Sequence, residues 1–417
     1  MPRVLLLLPT TTYRTKAFID AALKLGADVT AASEKPSTLE SQNPSTLLTL
    51  DFLDPEAAAR TSSRFAEEFP IDAVIPVDED TAVVAASVAG ALGLDHNSVE
   101  SVHIAKHKRL MRETLERAGV RVPRFWSFTL DDDITQVARR VEYPSVIKPV
   151  FLSTSRGVMR VDNQEEFIGA VDRLEGILIK RDVARRGGAA AREVLVEEFI
   201  PGVEVALEGL VTDGNLKTLA IFDKPDPLDG PFFEETIYVT PSRLSEDAQR
   251  DVIQTTQAAI QAMGLRRGPV HAELRINDRG AWVIEVAARA IGGLCSRALR
   301  FGEGLSLEEM ILGHALGADV RSIERESLAA GVMMIPVPRA GILSEVRGIE
   351  EAKGVENIEE VIISAHITKE IMPPPEGASY LGFIFARAFT PDAVEAALRE
   401  AHALLEFVIH PRKVHKN

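Results

Sequence analysis

The feature that most constrains this chain is a predicted β-hairpin within GPVHAELRINDRGAWVIEVAARAIGG, residues 268–293. Two β-like stretches flank a turn in which Gly280 can adopt a left-handed conformation. A loop over residues 278–280 predicts an antiparallel register with Glu273 directly opposite Glu285. Opposed residues have Cβ atoms about 4.5–5.5 Å apart, and like charges there destabilise a sheet. We therefore expect a divalent cation between the two carboxylates, because carboxylate oxygens are its usual ligands.

The residues around this pair favour a functional site over a surface hairpin. Alternation places Glu273 on the strand face that carries His271 and Arg275. Glu285 lies within the apolar stretch WVIEVAA, where a carboxylate is costly unless it is paired or bound to a metal. Arg289 and two glycines follow, supplying a guanidinium and accessible backbone N–H groups. The alternative is a surface hairpin with two hydrated glutamates. For His271, a role in supporting the metal ligands or an ordinary hydrogen-bonded place in the strand is favoured over metal ligation.

Strand and helix patterns alternate over the first hundred residues. The apolar run at residues 4–8 predicts a buried first strand, and TKAFIDAALKLG predicts a helix that ends at Gly26. DVTAAS, TLLTLDF and IDAVIPV predict three further strands. Repeated strand–helix units indicate a parallel, doubly wound sheet of the Rossmann-like type. The first turn, PTTTYRTK, contains no glycine, so it does not support a dinucleotide pyrophosphate loop.

The rest of the chain divides into a mixed region and an α+β tail. GVMMIPV, EVIISAHI and YLGFIFARA predict strands of the tail, and a helix capped by Thr390 follows them. We expect an α/β and α+β multidomain protein with an N-terminal α/β domain at residues 1–102. A central region at residues 103–318 and a C-terminal α+β domain at residues 319–417 would complete it.

A second group of segments carries parts suited to a nucleotide. Lys148 interrupts the apolar run in YPSVIKPV, and a buried lysine needs an anionic partner such as a phosphate. The loop FLSTSRGV that follows is small and polar, so its backbone can fold over phosphates. VLVEEFIPGVEVALEG predicts two strands joined by a bend, which can expose backbone groups to a base and the Glu204 carboxylate to ribose hydroxyls. The alternatives are a snorkelling core lysine and a solvated strand glutamate.

Composition and charge limit the partners and the compartment. The net charge of -15 argues against a nucleic-acid partner, whose phosphates require a basic surface. The apolar N-terminal run is shorter than the core of an export signal, and no run approaches the roughly 20 apolar residues that span a bilayer. Cys295 is the single cysteine, has no evident activating base, and suits a reducing compartment. We expect a cytoplasmic protein without a membrane partner, and a homodimer stays open.

Taken in order, these segments resemble the ATP-grasp superfamily of carboxylate–amine ligases. The resemblance runs from the N-terminal domain through AKHKRLMRETLERAGVRVP, VIKPV, VLVEEFIPGVE, HAELR and VIEVAARAIGG. It is most similar to the L-amino-acid ligase group, which joins amino acids into dipeptides, because the tail contains GVMMIPVPRAGIL, EIMPPP and YLGFIFARA. The resemblance implies an ATP-grasp fold with an N-terminal Rossmann-like pre-grasp domain and a C-terminal α+β lid domain.

Position by position, the resemblance implies an ATP site. Lys108 and Lys148 would bind the nucleotide phosphates, under the loop that contains Ser153 and Ser155. Glu204 would hold the ribose. The adenine hinge, which acts largely through its backbone, would comprise four consecutive residues, Glu197, Glu198, Phe199 and Ile200.

The resemblance also implies the catalytic groups. Glu273 and Glu285 would bind Mg²⁺, with Mn²⁺ as a substitute. Arg289 would steady the transferred phosphate and the intermediate, and Gly292 would donate a backbone N–H near the developing oxyanion. The absent side chain of Gly293 would leave volume for the substrate.

The implied activity is ATP-dependent amide formation between two small molecules, expected to be amino acids, through an acyl phosphate with release of ADP and phosphate. Two departures bear on it. Many family members have asparagine where this chain has Ala287, and Gly157 is the only glycine in a phosphate loop that is usually richer in glycine. The alternatives are a biotin-carboxylase-like or nucleotide-precursor ligase, and a non-catalytic nucleotide-binding module.

Overall fold

The computed structural model describes residues 1–412. The N-terminal part is a parallel four-stranded sheet in the order β3-β2-β1-β4, covered by helices. Its first strand is buried almost throughout because all its apolar side chains lie between helices, as the sequence predicts. The elements of this part are β1 (Arg3–Leu7), α1 (Thr15–Lys24), β2 (Asp28–Ser33), β3 (Leu47–Thr49), α2 (Pro55–Glu68), β4 (Ala73–Pro76), α3 (Ala82–Ala91) and α4 (Val99–Lys106).

The next part is a small antiparallel sheet in the order β5-β8-β6-β7, packed against a helix. Its strand β8 lies between two partners and ends at Glu198, before the predicted bend at Pro201 and Gly202. The elements are α5 (Lys108–Arg117), β5 (Phe125–Thr129), α6 (Ile134–Ala138), β6 (Ser145–Pro149), β7 (Met159–Val161), α7 (Gln164–Leu178), α8 (Arg181–Gly187) and β8 (Glu193–Glu198).

The largest sheet has eight strands in the order β13-β12-β9-β10-β11-β16-β20-β18. Its elements from the central region are β9 (Val203–Thr212), β10 (Asn215–Lys224), β11 (Ile237–Thr240), α9 (Glu246–Met263), β12 (Arg267–Asn277), β13 (Gly280–Ala287), β14 (Arg300–Phe301), β15 (Leu305–Ser306) and α10 (Leu307–Ala315). The remaining elements are β16 (Ala329–Ile335), β17 (Gly341–Arg347), α11 (Ile349–Lys353), β18 (Ile358–Ile363), β19 (Glu370–Ile371), β20 (Gly382–Ala388), α12 (Pro391–Ala403) and β21 (Glu406–His410). Strands β16, β18 and β20 extend the sheet formed by the central region, so the predicted division at residue 319 separates strands that share one sheet.

The β12–β13 hairpin has the predicted pairing but a different turn. Asn277 pairs with Gly280, so the loop contains only Asp278 and Arg279, and the predicted three-residue loop is wrong. A register shift after Glu273 then inserts one extra residue into β13, which restores the predicted pairing of Glu273 with Glu285. The pairing therefore depends on a β-bulge, which the regular alternation of the sequence does not reveal.

The C-terminal helix α12 forms as the sequence predicts. The Thr390 side chain accepts a hydrogen bond from the backbone N–H of Ala393, and Pro391 occupies the first turn. The apolar stripe of the helix packs against β16 and β20. Across residues 1–412, none of the helices combines the length and apolar character that crossing a membrane requires.

Candidate active site

All the side chains and glycines that the sequence singles out for a ligand line one cavity of about 540 Å³. The cavity lies between the small antiparallel sheet, the large sheet and the C-terminal part. The predicted residues that line it are Lys108, Lys148, Ser153, Ser155, Glu197, Glu198, Phe199, Ile200, Glu204, Glu273, Glu285, Arg289, Gly292 and Gly293. Chain segments that are far apart in sequence therefore converge on one place.

The two glutamates of the hairpin each face a lysine. Glu285 lies 3.2 Å from the Nζ of Lys108, and Glu273 lies 3.1 Å from the Nζ of Lys224. Lys108 also donates a hydrogen bond to the backbone carbonyl of Leu152, at the start of the predicted phosphate loop, at 2.8 Å. The repulsion expected between the two carboxylates is thus balanced by protein cations.

Lys224 lies at the centre of a buried charge cluster that also contains Glu204, Glu235 and Glu273. Its Nζ is 2.8 Å from Oε1 of Glu204. Although burial disfavours its charge, the three carboxylates hold the pKa of Lys224 well above its usual value. Burial and the neighbouring Glu273 carboxylate raise the pKa of Glu235 to about 7, whereas Lys224 and His271 keep the pKa of Glu273 well below its usual range despite its burial.

The sequence analysis assigned neither Lys224 nor Glu235 to the site, so it missed their contacts with Glu273 and with each other. Glu204, expected to hold a ribose, is an ion-pair partner of Lys224 in this structure. Lys224 is the last residue of strand β10, whose second half is apolar and buried. A lysine in that position was the sequence signal that could have indicated its place at the site. The carboxylate oxygens of Glu204, Glu235 and Glu273 lie within 4.8 Å of one another.

The predicted hinge begins at Glu197, which forms two buried ion pairs. The Glu197 carboxylate lies 2.6 Å from the Nζ of Lys148 and 2.6 Å from Nε of Arg112. Although burial opposes its charge, these two cations lower the pKa of Glu197. Lys148 is therefore not a snorkelling lysine, because its ammonium group stays inside the cavity wall with an anionic partner.

The Phe199 ring lies against the guanidinium groups of Arg160 and Arg275, at 4.2 and 4.9 Å from its centroid. Sequence reasoning did not identify Arg160. Such stacking holds the ring in place at the cavity wall.

The predicted phosphate loop has an irregular backbone. Thr154 and Ser155 have φ values of 57° and 53°, so consecutive residues adopt left-handed conformations. The backbone N–H of Gly157 donates to the carbonyl of Pro375 at 2.9 Å, which ties this loop to the C-terminal part. Beside this contact, Arg173 on helix α7 donates from Nη2 to Oε2 of Glu376 in the C-terminal part, at 2.8 Å. The loop thus forms part of the cavity's cover.

Arg289 and the glycines after it form the opposite wall. The Nε of Arg289 donates to Glu79 of the N-terminal part at 2.7 Å. Burial opposes the charge of Arg289, but Glu79 and Glu285 raise its pKa, so the guanidinium stays charged. Gly293 has a φ of 65°, and a Cβ placed there would lie 3.3 Å from the Phe383 ring.

His271 connects the hairpin to a buried carboxylate. Its Nδ1 contacts Oε1 of Glu208, and its Nε2 lies 3.3 Å from Oε1 of Glu273. Burial disfavours the imidazolium, but the two carboxylates raise the pKa of His271 to about 9. Of the two roles that the sequence left open for His271, the supporting one fits this geometry. Burial also raises the pKa of the Cys295 thiol, which therefore stays protonated at neutral pH.

The donor set of this site fits a hard divalent cation. Glu273 and Glu285 are paired across two strands, and the Glu273 and Glu285 side chains are 18% and 23% exposed to the cavity. Carboxylate oxygens, rather than imidazole or thiolate, are the ligands that Mg²⁺ prefers. The lysines and Arg289 around them can neutralise transferred phosphate oxygens.

Comparison with known proteins extends these observations. Three sequence families match along the chain: an ATP-grasp N-terminal domain at residues 19–96, an ATP-grasp domain at residues 141–298, and an L-amino acid ligase C-terminal domain 2 at residues 333–410. The crystal structure of an L-amino acid ligase from Bacillus licheniformis superposes with a TM-score of 0.82 at 27% identity. The superposition covers 98% of this chain and 99% of that one.

Two curated relatives show similar identities over part of the chain. The alanine–anticapsin ligase of Bacillus amyloliquefaciens is 27% identical over 60% of this chain and 55% of its own length. The dapdiamide A synthase of Enterobacter agglomerans is 28% identical over 54% of this chain and 52% of its own length. The matched region thus spans about half the length of these relatives.

Proposed function

The chain belongs to the ATP-grasp superfamily, within its L-amino-acid ligase group, and from this membership we propose that it is an ADP-forming carboxylate–amine ligase. Its two substrates would be small molecules, most simply amino acids. The observation that supports this proposal best is the convergence of every predicted ligand residue on one cavity. The similar proteins named as ligases and synthases agree with it.

We propose a two-step reaction. A substrate carboxylate oxygen attacks the γ-phosphorus of ATP, the bond to the β-phosphate oxygen breaks, and ADP leaves. The amine of the second substrate then attacks the acyl carbon, loses a proton, and displaces inorganic phosphate. Phosphoryl transfer of this kind depends mainly on positioning and on neutralising charge, which a cavity with several fixed cations provides.

The cavity residues predicted from the sequence would have distinct roles in this reaction. Lys108 and Lys148, already held by Glu285 and Glu197, would bind the nucleotide phosphates. Arg289 would stabilise the charge on the transferred phosphate, and Gly292 would donate its N–H to the acyl oxyanion. Ser153 and Ser155 belong to the loop that would cover the phosphates, while the hinge formed by residues 197–200 would contact adenine.

Glu273 and Glu285 would hold Mg²⁺ or Mn²⁺, and a bound divalent cation supplies Lewis-acid neutralisation of phosphate oxygens. Glu204 would face the ribose side, in exchange for part of its contact with Lys224. The cover formed by the phosphate loop and Pro375 would keep water from the acyl phosphate.

Nucleotide product and trapping together test the proposal. The protein is incubated with ATP, Mg²⁺ and mixed amino acids, and ADP, AMP and phosphate are separated and quantified. We expect ADP and phosphate, formed only when amino acids are present. Hydroxylamine, added with one amino acid in place of the amine substrate, should yield the hydroxamate of that amino acid. AMP as the only nucleotide product, or ADP formation that needs biotin and bicarbonate, would contradict the proposal.

A further inference from the structure

Glu208 is a buried carboxylate that the proposed reaction does not use. It lies in the middle of β9 and is only 1% exposed. Its two oxygens contact different elements: Oε1 contacts Nδ1 of His271 on β12, and Oε2 accepts the backbone N–H of Ile291 at 3.0 Å. A buried carboxylate costs free energy unless both oxygens are satisfied, and here both are. Its contacts thus join a strand to the loop after β13.

His271 carries this connection on to Glu273. The ring is 5% exposed, is paired with Glu208 across the two strands, and faces Glu273 with its other nitrogen at 3.3 Å. The contacts therefore form a continuous chain from the Ile291 N–H through Glu208 and His271 to Glu273. One end of the chain is the loop that carries Gly292, and the other end is a predicted metal ligand.

We propose that Glu208 and His271 form a positioning pair that couples the side-chain orientation of Glu273 to the backbone of the Ala290–Gly293 loop. This inference rests on the proposed function, which assigns Glu273 to the metal and Gly292 to the reacting carboxylate. Outer contacts of this kind orient the groups that hold a metal, so that less conformational freedom is lost when it binds.

A purely electrostatic role makes a different prediction. If His271 mattered only as a positive charge, its removal would strengthen cation binding, whereas loss of the negative charge of Glu208 would weaken it. A positioning role predicts that both changes weaken binding. It also predicts that the two changes are not additive, because either one breaks the same chain of contacts.

The test measures Mn²⁺ binding by electron paramagnetic resonance, with ADP present, in the full chain. His271→Asn keeps an amide near Nδ1 to satisfy Glu208 but does not reach Glu273, and Glu208→Gln keeps the shape of the side chain. We expect each variant to bind Mn²⁺ about 10–100-fold more weakly than the parent. We expect the Mn²⁺ affinity of the double variant to lie within about twofold of the affinity of the single variant that binds more weakly.

His314→Gln is the matched control. His314 is also a buried histidine, but it bonds to Thr212 at the far end of β9 and does not line the cavity. The Mn²⁺ affinity of His314→Gln should therefore equal that of the parent. Unchanged or tighter binding by His271→Asn, or additive losses in the double variant, would overturn the inference and leave the proposed function standing. Absence of ADP-dependent Mn²⁺ binding in the parent chain would overturn both.

Discussion

At the scale of single residues, the site is a set of charges that compensate one another before any ligand binds. Glu273 and Glu285 each face a lysine, and Glu197 faces both Lys148 and an arginine. Such pairs keep cations inside the cavity, where low polarity strengthens their attraction for phosphate. A ligand would exchange these contacts rather than create charge in an apolar space.

Neutralising either hairpin carboxylate should strongly reduce turnover while preserving the fold. Glu273→Gln and Glu285→Gln each remove an oxygen ligand of the proposed metal, and loss of several kcal/mol of charge stabilisation lowers kcat by about 100-fold or more. The measurement is amino-acid-dependent ADP formation across a Mg²⁺ titration. Glu309→Gln is the control, since Glu309 caps α10 and pairs with Lys24 outside the cavity. A glutamine variant at 273 or 285 with the parent's rate and Mg²⁺ dependence would remove these residues from the metal site.

At the scale of elements, a strand irregularity and a tight loop shape the site. The β-bulge in β13 returns Glu285 to a position opposite Glu273 after a shorter turn than expected. The loop that follows β13 then turns sharply at Gly293. The positive φ and the nearby Phe383 ring both disfavour a side chain at this position. Gly293 therefore combines a conformational requirement with a place in the cavity wall.

Gly293→Trp should exclude large substrates if a substrate side chain occupies the part of the cavity that Gly293 lines. Gly293→Ala is the control, because it carries the strain of an L-residue at positive φ, about 1–2 kcal/mol, and the close Cβ contacts with Cys295 and Phe383, without the indole ring. We expect Gly293→Trp to raise the Michaelis constant for a large amino acid at least about tenfold relative to Gly293→Ala, with little change for glycine or alanine. Initial rates over a series of amino acids, with thermal melts, provide the comparison.

Uniform loss of activity towards all substrates in Gly293→Trp, together with a lower melting temperature than Gly293→Ala, would show that the residue serves only the turn.

At the scale of the whole molecule, the cavity is assembled from all three parts of the chain. Glu79 of the N-terminal part pairs with Arg289. In the C-terminal part, Pro375 accepts the backbone N–H of Gly157, and Phe383 lines the cavity. Packing between the N-terminal part and the large sheet also buries His314. The geometry of the site thus depends on contacts that hold separate sheets together.

Acid should weaken this packing through His314. Its burial, together with the nearby Arg267 charge, lowers its pKa to about 4 from an ordinary value near 6.5. As the pH falls through about 6.5, the unfolded chain binds a proton that the folded protein still rejects, so stability declines until about pH 4. The shift corresponds to about 3 kcal/mol.

Thermal melts at pH 7.5 and 4.5 measure this effect. Between pH 7.5 and pH 4.5, we expect the melting temperature of the parent to fall further than that of His314→Gln. This variant keeps a polar group for Thr212 but does not titrate. Equal acid sensitivity of the two proteins would show that other groups control the acid limit.

Local sequence patterns determined much of this protein. Alternation and turn residues predicted the N-terminal parallel sheet, the β12–β13 hairpin and the capped helix α12, although the pairing of Glu273 with Glu285 also needed the bulge. These features follow from the backbone period and from short-range hydrogen bonds, and both depend on residues that are close together in the sequence. The ordered motifs also identified the superfamily and the residues that line the cavity.

Only the tertiary structure decided which charges meet. Lys224 reaches Glu204, Glu235 and Glu273 because β10 lies beside β9 and close to β12 in the large sheet, and Glu79 reaches Arg289 across 210 positions of the chain. Strand order and the packing of sheets set these distances, and local periodicity carries no information about either. The bulge after Glu273 was hidden for a related reason: one inserted residue is stabilised by its partner strand rather than by its own neighbours.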